Sequence, residues 1–173
     1  MIIVLMGYMG SGKSTLGKQL AKVLDYDFID LDDYIIEQEK KSIASIFSDN
    51  GEIYFRKIES QYLKDILSIK EDIILALGGG TPCYANNLNL ITTSDKVISI
   101  YLKLSIPFLC NRLFEEKESR PLISHLKTLE KLQEFVGKHL FERVQFYSMA
   151  HHTIEADKKS MKDVLEAVLL KLI

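Results

Sequence analysis

The residues Gly7-Tyr8-Met9-Gly10-Ser11-Gly12-Lys13-Ser14-Thr15 fit the pattern G-x-x-x-x-G-K-[ST] in full. Their types dictate what they can hold. The glycines let successive backbone N–H groups turn into one concavity, and a helix N-terminus behind them adds positive potential, so the ligand is an anion with several phosphate oxygens. Gly10, Ser11, Gly12 and Thr15 belong to that cradle. Lys13 brings a mobile positive charge to the β- and γ-phosphates, and the Ser14 hydroxyl suits the Mg²⁺ that accompanies a nucleotide. The plainer reading is a glycine-rich turn that binds nothing. It is outweighed because the motif sits in its required context, with the β-prone run Ile2–Met6 before it and the helix-prone run Leu16–Leu24 after it.

Three further groups of residues are able to do chemistry beside a phosphate. Asp30 and Asp32 close the β-prone piece Asp27-Phe28-Ile29-Asp30-Leu31-Asp32; two apart in an extended segment, their carboxylates point the same way, one toward a metal and the other toward an acceptor. Asp33 is expected to cap the next helix. Gly78-Gly79-Gly80 follows the apolar run Asp72–Leu77. Ordering such glycines costs about 1–2 kcal/mol each, which favours a close backbone approach to a ligand over an idle turn. Arg56 and Glu59 stand three apart on a predicted helix. They are either an exposed pair of little consequence or a buried acid that holds an arginine for a bidentate grip on a carboxylate, and spacing alone leaves both open.

The elements that must position these residues alternate. Strands are predicted at residues 2–6, 27–32, 72–77, 96–102 and 151–155. Helices are predicted over 16–24, 34–39, 43–47, 53–67, 87–91, from Ser105-Ile106-Pro107 onward, 128–149 and 160–170, with Asn50-Gly51 as a break. Continuous apolar strands alternating with helices imply a parallel sheet covered on both faces, with its binding crevice at the carboxyl ends of the strands. The phosphate loop, the two aspartates and the glycines then arrive at one sheet edge. Residues 113–126, which include Glu115-Glu116-Lys117-Glu118-Ser119-Arg120-Pro121, lack apolar periodicity and are either a solvated loop or a lid over nucleotide.

Composition narrows the function classes. A chain of 173 residues with 47% hydrophobic and 27% charged residues is expected to form a single domain around one core. A net charge of −2 gives no overall attraction to nucleic acid or anionic membrane. Cys83 and Cys110 have no metal-ligand or redox spacing and read as buried thiols of a reducing compartment. With a strand beginning at Ile2 and no apolar run of membrane-spanning length, a cytoplasmic protein is expected. His125 and His139 are expected at the surface.

Taken together, these residues resemble the shikimate kinases. The likeness is carried by the phosphate loop, by Phe28-Ile29-Asp30-Leu31-Asp32, by Ile46-Phe47 with Gly51-Glu52 and Phe55-Arg56-Lys57-Ile58-Glu59, by Leu77-Gly78-Gly79-Gly80 and by Arg120-Pro121-Leu122. It extends over essentially the whole chain. It implies a three-layer α/β/α fold with a five-stranded parallel sheet of the P-loop kinase type, spanning residues 1–173. A substrate-binding helical segment is implied at about 33–62 and a lid at about 113–126.

The resemblance also implies ATP and shikimate as substrates, Mg²⁺ as cofactor and a monomer without nucleic-acid or membrane partners. It assigns Lys13 and Ser14 to phosphate and metal, Asp30 to the metal through water, and Asp32 to the shikimate hydroxyls as the base. Arg56 takes the carboxylate, aided by the N–H groups of Gly79 and Gly80. Arg120 reaches the transferring phosphate, and Arg112 stacks on adenine. Arg143 corresponds to the family's second substrate arginine, although Gln145 stands where its relatives carry proline. The segment Glu155–Lys159 and the acidic lid depart further from the family pattern. A kinase for another small polyol acid such as gluconate, and a catalytically silent nucleotide-binding regulator, are the alternatives. The first lacks the set of two carboxylates, Arg56 and three glycines; the second is expected to lose Lys13, Asp32 or Arg120.

Overall fold

The computed structural model describes residues 1–120 and 122–173, so Pro121 of the Arg120-Pro121-Leu122 signature lies outside the described residues. Five strands form one parallel sheet in the order β2-β3-β1-β4-β5. They are β1 (Ile2–Met6), β2 (Asp27–Asp30), β3 (Ile73–Ala76), β4 (Val97–Lys103) and β5 (His152–Glu155). β1 is central and buried throughout, as is β3, which is why both read as unbroken apolar runs without alternation.

The helices are α1 (Lys13–Leu24), α2 (Leu31–Glu39), α3 (Ile43–Leu67), α4 (Asn87–Thr92), α5 (Ile106–Glu116), α6 (Leu129–Tyr147) and α7 (Met161–Leu169). Local chemistry sets most of their starts. Ser42, Thr128 and Ser160 each accept a hydrogen bond from the backbone N–H three residues on, and Ser160 completes a reciprocal box with Asp163. The break expected at Asn50-Gly51 is present: Gly51 holds φ 81° and ψ 173°, outside the helical range, so α3 is two helices joined across a kink there.

Register explains how the sheet assembles a site. Leu5 is level with Ala76, and Ala76 with Asp30. The chain therefore leaves β1 into the phosphate loop, β2 into Asp30–Asp32 and β3 into the triple glycine at one height along the sheet. Because β1 lies between β3 and β4, the crossover from β1 to β2 passes over β3, and the crevice opens at the strands' carboxyl ends. Among the described residues, no helix is long and apolar enough to cross a membrane.

Candidate active site

The phosphate loop closes on itself around Lys13. Gly12, at φ 93°, is the N-cap of α1 and gives it no side-chain hydrogen bond, so the first N–H groups of the helix remain available to an anion. Lys13 is buried, and its Nζ donates to the carbonyl oxygens of Gly7 (2.9 Å) and Tyr8 (3.0 Å). Burial pulls its pKa down to about 8 against the opposing pull of Asp32 and Asp30. The Ser14 hydroxyl donates to Asp30 Oδ2 at 2.6 Å, which brings the two expected metal ligands together. Their donors are all oxygen, and the described residues hold no cluster of three or more His, Cys, Asp or Glu. That sparse oxygen set fits Mg²⁺, which keeps waters and phosphate oxygens in its shell.

The aspartates are arranged differently from the extended pair expected. Helix α2 begins at Leu31, so Asp30 ends the strand and Asp32 lies in the first helical turn. Asp30, not Asp33, is the cap: its Oδ1 accepts from the Asp32 N–H at 3.1 Å. The turn nevertheless presents both carboxylates to one cavity. Burial, then Asp30 and Glu59, push the Asp32 pKa up to about 6 despite Lys13.

Arg56 and Glu59 resolve as the buried arrangement. Glu59 is 1% exposed; its Oε2 accepts from Arg56 Nη1 at 2.9 Å and its Oε1 accepts from the Thr81 hydroxyl at 2.7 Å. The guanidinium lies 3.8 Å from the Tyr84 ring centroid, and a Cβ on Gly80 would stand 2.9 Å from Arg56 Nη2. The glycine thus admits the arginine against the backbone. Arg143 reaches the same cavity from α6.

Two cavities meet here. One, of about 500 Å³, is lined by the phosphate loop, Asp30 and Arg112; the other, of about 330 Å³, is lined by Arg56, Glu59, Gly80 and Arg143. Met9, Asp32, Gly78, Gly79 and Arg120 line both. Arg120 is held by Glu116, with Nε at 3.1 Å and Nη2 at 2.5 Å from Oε2. Arg112 donates to Gly10 O at 3.4 Å and lies, with Met161, beside Gly12. The segment expected as a lid from residue 113 instead begins within α5: Leu113 is buried in the core and Glu116 ends the helix.

Sequence reasoning missed two members of this neighbourhood. The buried Tyr147 hydroxyl donates to Gly79 O, fixing the glycine turn. His139, expected at the surface, is half-buried, with Nδ1 2.8 Å from the Tyr8 hydroxyl and 3.2 Å from Arg143 Nη1. The available signal was the spacing of His139, Arg143 and Tyr147, four residues apart along one face of α6. Cys83 and Cys110 are free, and burial raises both thiols, Cys110 to about 11, so neither is an activated nucleophile.

A family model described as shikimate kinase matches residues 9–173. A curated shikimate kinase of Flavobacterium johnsoniae is 44% identical over 167 residues, 96% of each chain. The crystal structure of the Bacteroides thetaiotaomicron shikimate kinase superposes with a TM-score of 0.90 at 31% identity, covering 99% of this chain and 97% of that one. The Acinetobacter baumannii shikimate kinase, solved in complex with shikimate, gives 0.83 at 30% identity, with 99% and 92% covered. With two abutting cavities on an α/β P-loop scaffold and full-length likeness of this kind, the chain belongs to the shikimate kinase family.

Proposed function

We propose that the chain transfers the ATP γ-phosphoryl group to the 3-hydroxyl of shikimate, a phosphotransfer to an alcohol acceptor, and that it does so with the residues described above. The observation that carries this assignment is the meeting of the two cavities at Asp32, Gly79 and Arg120: a donor in one and an acceptor in the other face each other across a carboxylate and a guanidinium.

The larger cavity takes ATP, with phosphates on Gly10, Ser11, Gly12, Lys13, Ser14 and Thr15 and the base beside Arg112. Ser14, and Asp30 through water, would hold Mg²⁺, which when bound offsets charge on the β- and γ-phosphates. Arg56 and Arg143 grip the acceptor carboxylate, and the Gly79 and Gly80 N–H groups help fix it. Asp32 orients the hydroxyl and accepts its proton as the new O–P bond forms and the bond to the ADP oxygen breaks. Lys13 and Arg120 offset charge on the transferring group, Arg120 exchanging Glu116 for phosphate oxygens. Residues 1–173 act as one kinase domain and as a cytoplasmic monomer, with about 33–62 serving the acceptor and the part of 113–126 that lies beyond α5 closing over the nucleotide.

The test is ATP consumption with Mg²⁺ in the presence of shikimate, of gluconate, or of neither. Shikimate-dependent turnover is expected, with the product phosphorylated at the 3-hydroxyl by NMR. Turnover with gluconate alone would move the chain to another acceptor, and nucleotide binding without turnover would make it a regulator.

A further inference from the structure

One side chain beside the acceptor cavity, His139, takes no part in the proposed reaction. The imidazole of His139 has its Nδ1 2.8 Å from the Tyr8 hydroxyl oxygen and 3.2 Å from Arg143 Nη1. A guanidinium can only donate, so Nδ1 must accept. The ring proton therefore sits on Nε2, and the Tyr8 hydroxyl is the second donor to the same lone pair. The ring is held edge-on by Tyr8 (centroids 5.6 Å apart, planes at 89°) and flanked by Phe135 at 5.3 Å. Tyr8 belongs to the loop whose carbonyl holds Lys13 Nζ, while Arg143 lines the acceptor cavity. A single neutral imidazole thus connects the two halves of the site.

We propose that His139 is a positioning residue: its Nδ1 fixes the Arg143 guanidinium against the phosphate loop, so the grip on the acceptor carboxylate requires the ring to be unprotonated. The inference rests on the assignment of Arg143 to the acceptor. Protonation would fill the lone pair that both donors share and set a second positive charge beside Arg143. The groups facing the ring agree with a neutral form. Arg143 opposes its charge and Glu142 on the same helix favours it. Tyr8 approaches from the loop, Cys110 of α5 lies near Tyr8, and Cys83 after the glycines lies near Arg143; burial keeps both thiols protonated. Burial first, and then Arg143, lower the His139 pKa from its ordinary value.

Asp32, raised to about 6, also changes charge below neutrality, so the wild-type pH profile alone does not isolate His139. His139→Asn keeps an acceptor near the position of Nδ1 and removes the titration; His139→Leu removes both. At about pH 8 the Asn variant should keep a KM for shikimate within about threefold of wild type, whereas the Leu variant should raise it about tenfold with kcat and the ATP KM little changed. Lowering the pH from about 8 into the acid range should raise the wild-type shikimate KM relative to that of the Asn variant. Histidine-selective ¹⁵N NMR should show the Nε2–H tautomer. Superimposable wild-type and Asn profiles, an unchanged KM in the Leu variant, or the Nδ1–H tautomer would each overturn the proposal. Arg143→Met separates the two levels. If it leaves the shikimate KM unchanged, the acceptor role of Arg143 fails and the inference with it. If it raises that KM while both His139 variants match wild type, only the inference fails.

Discussion

Replacing Asp32 with asparagine should lower kcat by about 10²–10⁴-fold and, in the same protein, raise the thermal midpoint. The loss follows from its place: Asp32 lies where the two cavities meet, and an amide in that position can still orient a hydroxyl but cannot accept its proton. The gain follows from its electrostatics. Burial, Asp30 and Glu59 raise the Asp32 pKa from 3.8 to about 6, so the folded state holds the proton more tightly than the unfolded chain does. By linkage, the penalty for ionising it is absent below about pH 4, grows between about pH 4 and 6, and is fully present at neutrality. It amounts to roughly 1–3 kcal/mol, or a few degrees in Tm for a chain of this length. Thermal unfolding without nucleotide or Mg²⁺ should show the variant more stable at pH 7 and equal to wild type near pH 4. A variant that retains turnover, or whose stability tracks wild type across that range, would remove Asp32 as a strained base.

This coexistence of strain and function marks the limit of what the sequence could convey. The phosphate loop was legible because its residues are contiguous, and a local pattern suffices when chain geometry alone brings the N–H groups together. The strands were legible because burial on both faces leaves unbroken apolar runs, as in Ile2–Met6 and Ile73–Ala76. The helix start at Leu31 was not, because three acids within four residues, Asp30, Asp32 and Asp33, could each cap it and only the backbone turn at Asp30 selects one. The choice between an exposed and a buried Arg56–Glu59 pair also needed tertiary contact: Thr81 and Tyr84, which satisfy and cover the pair, are more than 20 residues away. His139 and Tyr147 carry no motif of their own. Their roles appear only when α6 lies against the phosphate loop and the glycine turn, as Tyr8–His139 and Tyr147–Gly79 show.

Arg56→Ala should produce two effects that a third measurement can separate. If Arg56 grips the acceptor carboxylate as proposed, losing that charge-assisted contact should raise the KM for shikimate about 10²–10³-fold while leaving the ATP KM near wild type. The same change leaves Glu59, 1% exposed, with the Thr81 hydroxyl as its remaining hydrogen-bond donor among the described residues, and a buried carboxylate stripped of its cation costs about 3–5 kcal/mol. The variant should therefore unfold at a clearly lower temperature. Adding Glu59→Gln removes the charge but keeps an acceptor for Thr81, so the double variant should recover most of the lost stability and none of the shikimate affinity. If instead shikimate affinity returned along with stability, the KM effect would have come from a loosened α3, and Arg56 would not touch the carboxylate. If ATP affinity collapsed while shikimate affinity survived, the two cavities would have been assigned to the wrong substrates. The stability arm depends only on the ion pair observed here, and the affinity arm only on the acceptor assignment, so each can fail alone.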